Sequence, residues 1–196
     1  VNTLTLKITG TAPILLNNAR LVNKLDPMSK ALAIAVSKMK KDKTDEAVMQ
    51  AARIEWEAGL YMDPKHGPVI PGLNVQRAIV EGARQTKNGK SVERGVRITE
   101  ISLPLKYKGP REVDAMWDDG RFVDQRSCGV VGRRVIRTRP VFPEWSVEAT
   151  FVFDPEQIDR DTLIEAARTA GTRIGIGNFR PDCGGIFGTF DVDVVA

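Results

Sequence analysis

The sequence predicts an α+β fold of ferredoxin-like type, a βαββαβ frame with four antiparallel strands on one side and two helices on the other. Three observations predict it. Thr3 to Ile8 alternates polar and apolar residues, as a half-buried strand does. Two amphipathic helical segments, near 74–85 and 160–170, are separated by strand-like segments. A final strand near 188–195 follows the second helix through a glycine-rich connection.

The elements follow in order. Thr9-Gly10 ends the first strand, and Pro13 to Asn18 is a short apolar run closed by turn residues. Met28 to Lys41 reads as a helix with Met28, Leu32, Ala35 and Met39 on one face and lysines opposite. Thr44 caps a second helix, with Asp45 and Glu46 in its first turn and Ala47, Ala51, Ile54 and Ala58 along its buried stripe. Tyr61-Met62 and Val69-Ile70 flank a hairpin turn at Asp63 to Gly67. A helix capped by Asn74 comes next, then a polar loop from Thr86 to Gly95. Val96 to Leu105 reads as one strand with room for a bulge. Residues 108–132 show no clear period and read as a long loop. Arg134 to Phe142 and Trp145 to Phe153 are strands joined by Pro143-Glu144. Thr162 and Glu165 pair as a capping box for the last helix, with Asp159 the competing cap.

The frame strands are then 3–9, either 97–105 or 134–142, 146–153 and 188–195. The pattern leaves the second of these open. One domain spans 1–196, with insertions at about 20–70 (helical) and 106–132 (loop).

Composition narrows the function. No apolar run approaches the roughly 20 residues that span a membrane, so the cytoplasm is the expected location and no membrane partner is expected. Cys128 and Cys183 have no CxxC spacing and His66 is the only histidine, so the usual zinc patterns are absent and neither metal nor cofactor is expected. The net charge of +4 matters through its distribution. Arg121, Arg126, Arg133, Arg134, Arg137 and Arg139 lie in one stretch with a single acid, Asp124. Six lysines between Lys24 and Lys43 face only Asp26 and Asp42. Two such segments point to a polyanionic partner.

On a strand, Arg133, Arg137 and Arg139 share one side and Arg134 takes the other. Guanidinium groups at two-residue spacing, about 7 Å apart, can follow successive phosphates. The competing reading is a solvated strand whose arginines pair with Asp114, Asp118, Asp119 and Asp124. In the glycine loop after the last helix, backbone amides can form an anion nest around Gly177, and Phe179 and Arg180 can stack on a base. Its competing reading is a tight return with Phe179 and Phe187 in the core. The arginines and this loop are expected to make one cradle. His66 beside Asp63 is the only candidate general base, and no catalytic residue is expected.

Pro68 to Arg84, with its Ile70-Pro71-Gly72 opening, resembles the "iPGssikGalr" segment of the RAMP superfamily, the ferredoxin-like RNA-binding subunits and processing nucleases of CRISPR systems. Ile174 to Gly188 is similar to that superfamily's glycine-rich loop. The whole chain also looks like a group of bacteriophage proteins sharing the segments Arg137 to Pro140, Pro143 to Trp145 and Gly177 to Pro181, a match that carries no function with it. The nuclease branch commonly uses a histidine near its N-terminal helix, which this chain lacks. The resemblance therefore implies a non-catalytic, phage-type protein in a bacterial host's cytoplasm that binds single-stranded DNA or RNA, with self-association along the strand. Two other readings stay open: a metal-independent endoribonuclease of the RAMP type, and an anti-defence protein that sequesters a nucleotide or blocks a host complex.

Overall fold

The computed structural model describes residues 1–130 and 132–195, with the side chains of Val130 and Arg133 left outside the description. It is a mixed α+β structure with antiparallel sheets. Its elements are β1 (Asn2–Gly10), β2 (Ile14–Leu15), α1 (Pro27–Asp42), α2 (Asp45–Gly59), β3 (Met62–Asp63), β4 (Gly67–Pro71), α3 (Gly72–Arg84), α4 (Gly89–Gly95), β5 (Val96–Ile98), β6 (Ser102–Pro104), α5 (Val113–Asp119), β7 (Val123–Val130), β8 (Arg133–Phe142), β9 (Ser146–Phe153), α6 (Arg160–Thr169) and β10 (Phe190–Val194). Among the described residues, no helix is long and apolar enough to cross a membrane.

The chain forms two compact units, Val1–Ile14 with Met62–Lys108 and Pro143–Ala196, and Leu15–Tyr61 with Gly109–Phe142. The first unit holds a four-stranded antiparallel sheet in the order β10-β1-β9-β5. Alternation decides its two faces. Leu4, Leu6, Ile8, Val147, Ala149, Phe151 and Phe153 are buried. Thr3, Thr5, Lys7 and Glu148 point the other way. The apolar stripes of α3 (Val75, Ile79, Ala83) and α6 (Leu163, Ala167) are buried as well. At Gly82 a side chain would meet the Ala166 carbonyl oxygen at 2.4 Å, so only glycine lets α3 approach α6 this closely.

In the second unit α1 lies against α2, and β7 and β8 form an antiparallel hairpin. The Leu16 amide donates to the Pro140 carbonyl on the outer side of β8. Trp56 on α2 is fully buried and donates its indole N–H to the Phe122 carbonyl at 2.8 Å. Arg53 ties α5 to α2. It donates to Asp114 at 2.7 Å, with its guanidinium 5.1 Å from the Trp56 ring and 5.3 Å from the Trp117 ring.

Several sequence expectations need correction. The stretch expected to be a loop at 108–132 contains α5 and β7. The polar 86–95 segment contains α4. Residues 96–105 are not one strand: β5 pairs with β9, whereas β6 pairs with β4. The strand flanking β9 is therefore β5, and Arg133–Phe142 belongs to the hairpin. α3 starts at Gly72, before Asn74, where the Gly72 amide donates to the Ile101 carbonyl. Asp159 caps α6, accepting from the Thr162 amide at 2.8 Å and the Thr162 hydroxyl at 2.7 Å. A carboxylate outcompetes a hydroxyl there because it accepts two charge-assisted bonds at the positive end of the helix.

Candidate nucleic-acid interface

The β7–β8 ladder runs from Val123↔Pro140 to Val130↔Arg133. Residues directly opposite share a face, so Arg126 faces Arg137, and Asp124 faces Arg139. The alternation along β8 is unbroken, which puts Arg134 on the other face, exposed. The Arg133 side chain lies outside the described residues.

Most of these arginines already have an acid. Arg121 grips Asp119 with Nε at 2.6 Å and Nη2 at 2.8 Å. That hydrogen-bonded guanidinium holds the Asp119 carboxyl below the usual aspartate range and raises the Arg121 pKa in turn. Arg126 makes a two-pronged pair with Asp124, one bond at 2.6 Å, which raises the Arg126 pKa. Arg137 Nη1 donates to Glu55 Oε1 at 2.8 Å. Arg139 points a nitrogen at the Cys128 sulfur, 3.6 Å away. The ion-paired alternative thus describes Arg121 and Arg126 with Asp119 and Asp124. Asp114 instead serves Arg53, and Glu55 is a partner the sequence did not announce. Arg134 and Arg139 are the hairpin arginines, among those described, for which no carboxylate bond is seen.

Charge is nonetheless concentrated in this unit. It holds 15 of the 29 lysines and arginines and 11 of the 25 acids, so the whole excess of +4 falls on it. The lysines of α1, at 30, 38, 40 and 41, are exposed. An open groove of about 870 Å³ runs along α1, α2 and β8, and its lining includes Leu32, Val36, Met39 and Ile136 together with Lys40, Glu55 and Arg137.

Gly177, Phe179 and Arg180 belong to the other unit, in the loop that follows α6. Around the expected anion nest, the amides of residues 175, 176, 183, 184, 185, 187 and 188 donate to backbone carbonyls and keep no N–H for an anion, whereas no such bond is seen for the amides of Gly177, Asn178, Phe179 and Arg180. Arg180 is a brace, donating to the Gly177 carbonyl at 3.3 Å and to Asp182 at 3.2 Å. Phe187 is buried, as a packed return requires, but Phe179 is 43% exposed. Phe179 also has φ 51°, in the left-handed region, a conformation that costs a bulky residue about 1–3 kcal/mol. The fold imposes it. The Phe179 carbonyl accepts from the Phe187 amide at 3.1 Å. At Gly185 a side chain would sit 1.7 Å from that same carbonyl oxygen, so glycine is required beside it.

The open face of the four-stranded sheet is not a stacking platform. It carries Thr3, Thr5, Lys7, Thr9, Glu148, Thr150, Asp191 and Asp193, with no aromatic among these. Its charges alternate: Lys7 is flanked in register by Asp193 and Glu148, and Lys106 bonds Glu148. His66 sits in the β3–β4 turn, where its Nδ1 lies 2.9 Å from Asp63 Oδ1, an oxygen that also accepts from the Lys65 and His66 amides. Those turn bonds, the Lys65 amide first, lower the Asp63 pKa.

No protein-family model matches the sequence, and no curated protein matches it.

Proposed function

We propose that the protein binds single-stranded nucleic acid, DNA or RNA, without cutting it, with the β7–β8 hairpin as the principal phosphate-contacting surface. The observation that carries this reading is the ladder that sets Arg126 opposite Arg137, beside Arg139, in the unit holding all the excess positive charge. Like charges directly opposite on a sheet are unfavourable unless anions separate them. Asp124 and Glu55 do so partly, and a phosphate approaching the exposed side completes the neutralisation. A guanidinium has five N–H donors, so an arginine that gives two to a carboxylate keeps others for phosphate.

The first unit supports the wider resemblance. Its sheet order β10-β1-β9-β5, with α3 and α6 in the connections, is what a ferredoxin-like frame requires, and we infer that frame here. Binding without cleavage is favoured because the nuclease branch of the resemblance commonly uses a histidine near its N-terminal helix, whereas His66 lies in the β3–β4 turn. On the RAMP resemblance, binding is followed by self-association along the strand, and a phage-type role in protecting or sequestering nucleic acid.

The test is a mobility-shift assay with single-stranded DNA, single-stranded RNA and duplex at 50 and 200 mM salt. If about three cations meet phosphates, the log–log salt slope is near −2 for a single strand. Arg139→Glu weakens the shift and flattens the salt slope while leaving the Glu55–Arg137 pair intact, whereas Arg134→Glu, on the other face of the hairpin, has the smaller effect. A salt-independent shift, or none with the wild-type protein, overturns the reading.

A further inference from the structure

We propose that Phe179 is a stacking contact for an unpaired nucleobase, making the loop of the first unit a second point of attachment for the strand. This rests on the single-strand reading above, and it assigns the loop's role to one side chain, not to its amides or to Arg180.

Four observations carry it. Phe179 is the described aromatic residue held at positive φ, and it is 43% exposed. Burial does not account for the strain, because the apolar anchoring of the loop is done by Ile174, Ile176 and Phe187, each at most 7% exposed. The ring is nevertheless placed. It leans on Phe187 with centroids 6.3 Å apart and planes at 37°, while Gly185 makes room for its backbone and Arg180 braces the turn below. Finally, seven of the loop amides, those of 175, 176, 183, 184, 185, 187 and 188, are already bonded internally, and Phe179 is the loop's exposed aromatic residue, Phe187 being buried. A half-exposed ring that leans on another aromatic suits a flat, apolar partner. A base in a duplex is stacked on both sides and is not available, whereas every unpaired base presents a free π-face.

The experiment measures fluorescence anisotropy with two labelled probes of about 20 residues, an oligothymidylate and an oligomer of abasic sites with the same phosphates. The proteins are wild type, Phe179→Asn and Phe179→Trp, each melted first. Asparagine tolerates positive φ, so Phe179→Asn melts at or above the wild-type temperature. Its affinity for oligothymidylate falls about tenfold, within the range for loss of one stacked base. Its affinity for the abasic probe and its salt slope do not change. Phe179→Trp keeps wild-type affinity. The inference is overturned if wild type binds both probes equally, or if Phe179→Asn binds oligothymidylate as wild type does; the hairpin reading survives either result. Failure of wild type to bind both probes removes the single-strand reading itself, and the inference with it.

Discussion

The Glu55 carboxylate on α2 holds Arg137 of β8 through one oxygen at 2.8 Å, and its second oxygen takes the neighbouring Thr138 amide at 3.0 Å. Thr138 is 2% exposed and the Glu55 side chain 14%. One acid therefore satisfies a backbone donor at the outer side of β8 and neutralises an arginine of the basic hairpin.

Replacing Glu55 separates those two roles. Glu55→Ala leaves the Thr138 amide unsatisfied and costs about 1–3 kcal/mol, read as a lower urea midpoint. Glu55→Gln keeps an oxygen for the amide but releases the Arg137 charge. It is expected to unfold slightly more easily, yet to bind single strands several-fold more tightly at 50 mM salt, with a steeper salt slope.

Acid should weaken the fold through its low-pKa carboxylates. Asp119 is lowered by its hydrogen-bonded Arg121, Asp159 by the Thr162 hydroxyl and amide, and Glu148 by Lys106. A carboxylate whose folded pKa lies below its unfolded value stabilises the fold above the unfolded value, and that contribution disappears as pH falls through the folded one. The ordinary values here are 3.8 for aspartate and 4.5 for glutamate. The melting temperature is expected to be flat from neutrality to about pH 5 and to drop below 4. In Asp119→Asn the drop is shallower.

The start of α6 discriminates between two caps. Asp159→Ala removes the acceptor for both the Thr162 amide and its hydroxyl. Thr162→Val removes only the hydroxyl bond. Thermal melts should show the larger fall for Asp159→Ala. Equal falls would mean that the hydroxyl contributes as much as the cap.

Trp56→Phe tests the core of the second unit. The smaller ring leaves a void and removes one of two hydrogen bonds to the Phe122 carbonyl, which keeps the Val141 amide at 3.0 Å. A loss of about 2–4 kcal/mol is expected from the two effects together. Near-ultraviolet circular dichroism should change as well, because Trp56 and Trp117 lie edge to face at 5.4 Å.

Much of the frame was legible because its residues alternate or repeat strongly. β1 and β9 send every second side chain into the core, and α6 buries Leu163, Ile164 and Ala167 on one stripe. β7 was not legible. Val-Asp-Gln-Arg-Ser-Cys-Gly-Val is polar on both sides, so no period marks it; it exists because β8 supplies the ladder. α4 is seven residues bounded by glycines, too short to show a stripe. In the candidate site, the clustering of arginines was plain in the sequence, but their partners were not. Asp119 and Asp124 lie two residues from their arginines, whereas Glu55 lies 82 from Arg137.

What the sequence determined by itself was direction and charge: which side chains face inward along each regular element, and the excess of cations in one stretch of chain. Both follow from local spacing, because a strand alternates and a helix repeats wherever it is placed. Only the tertiary structure decided that Arg137 is spent on Glu55, where seven of the glycine-loop amides go, and that Phe179 is held at φ 51° while 43% exposed. Those outcomes depend on groups distant in sequence meeting after folding, and no local period encodes such meetings.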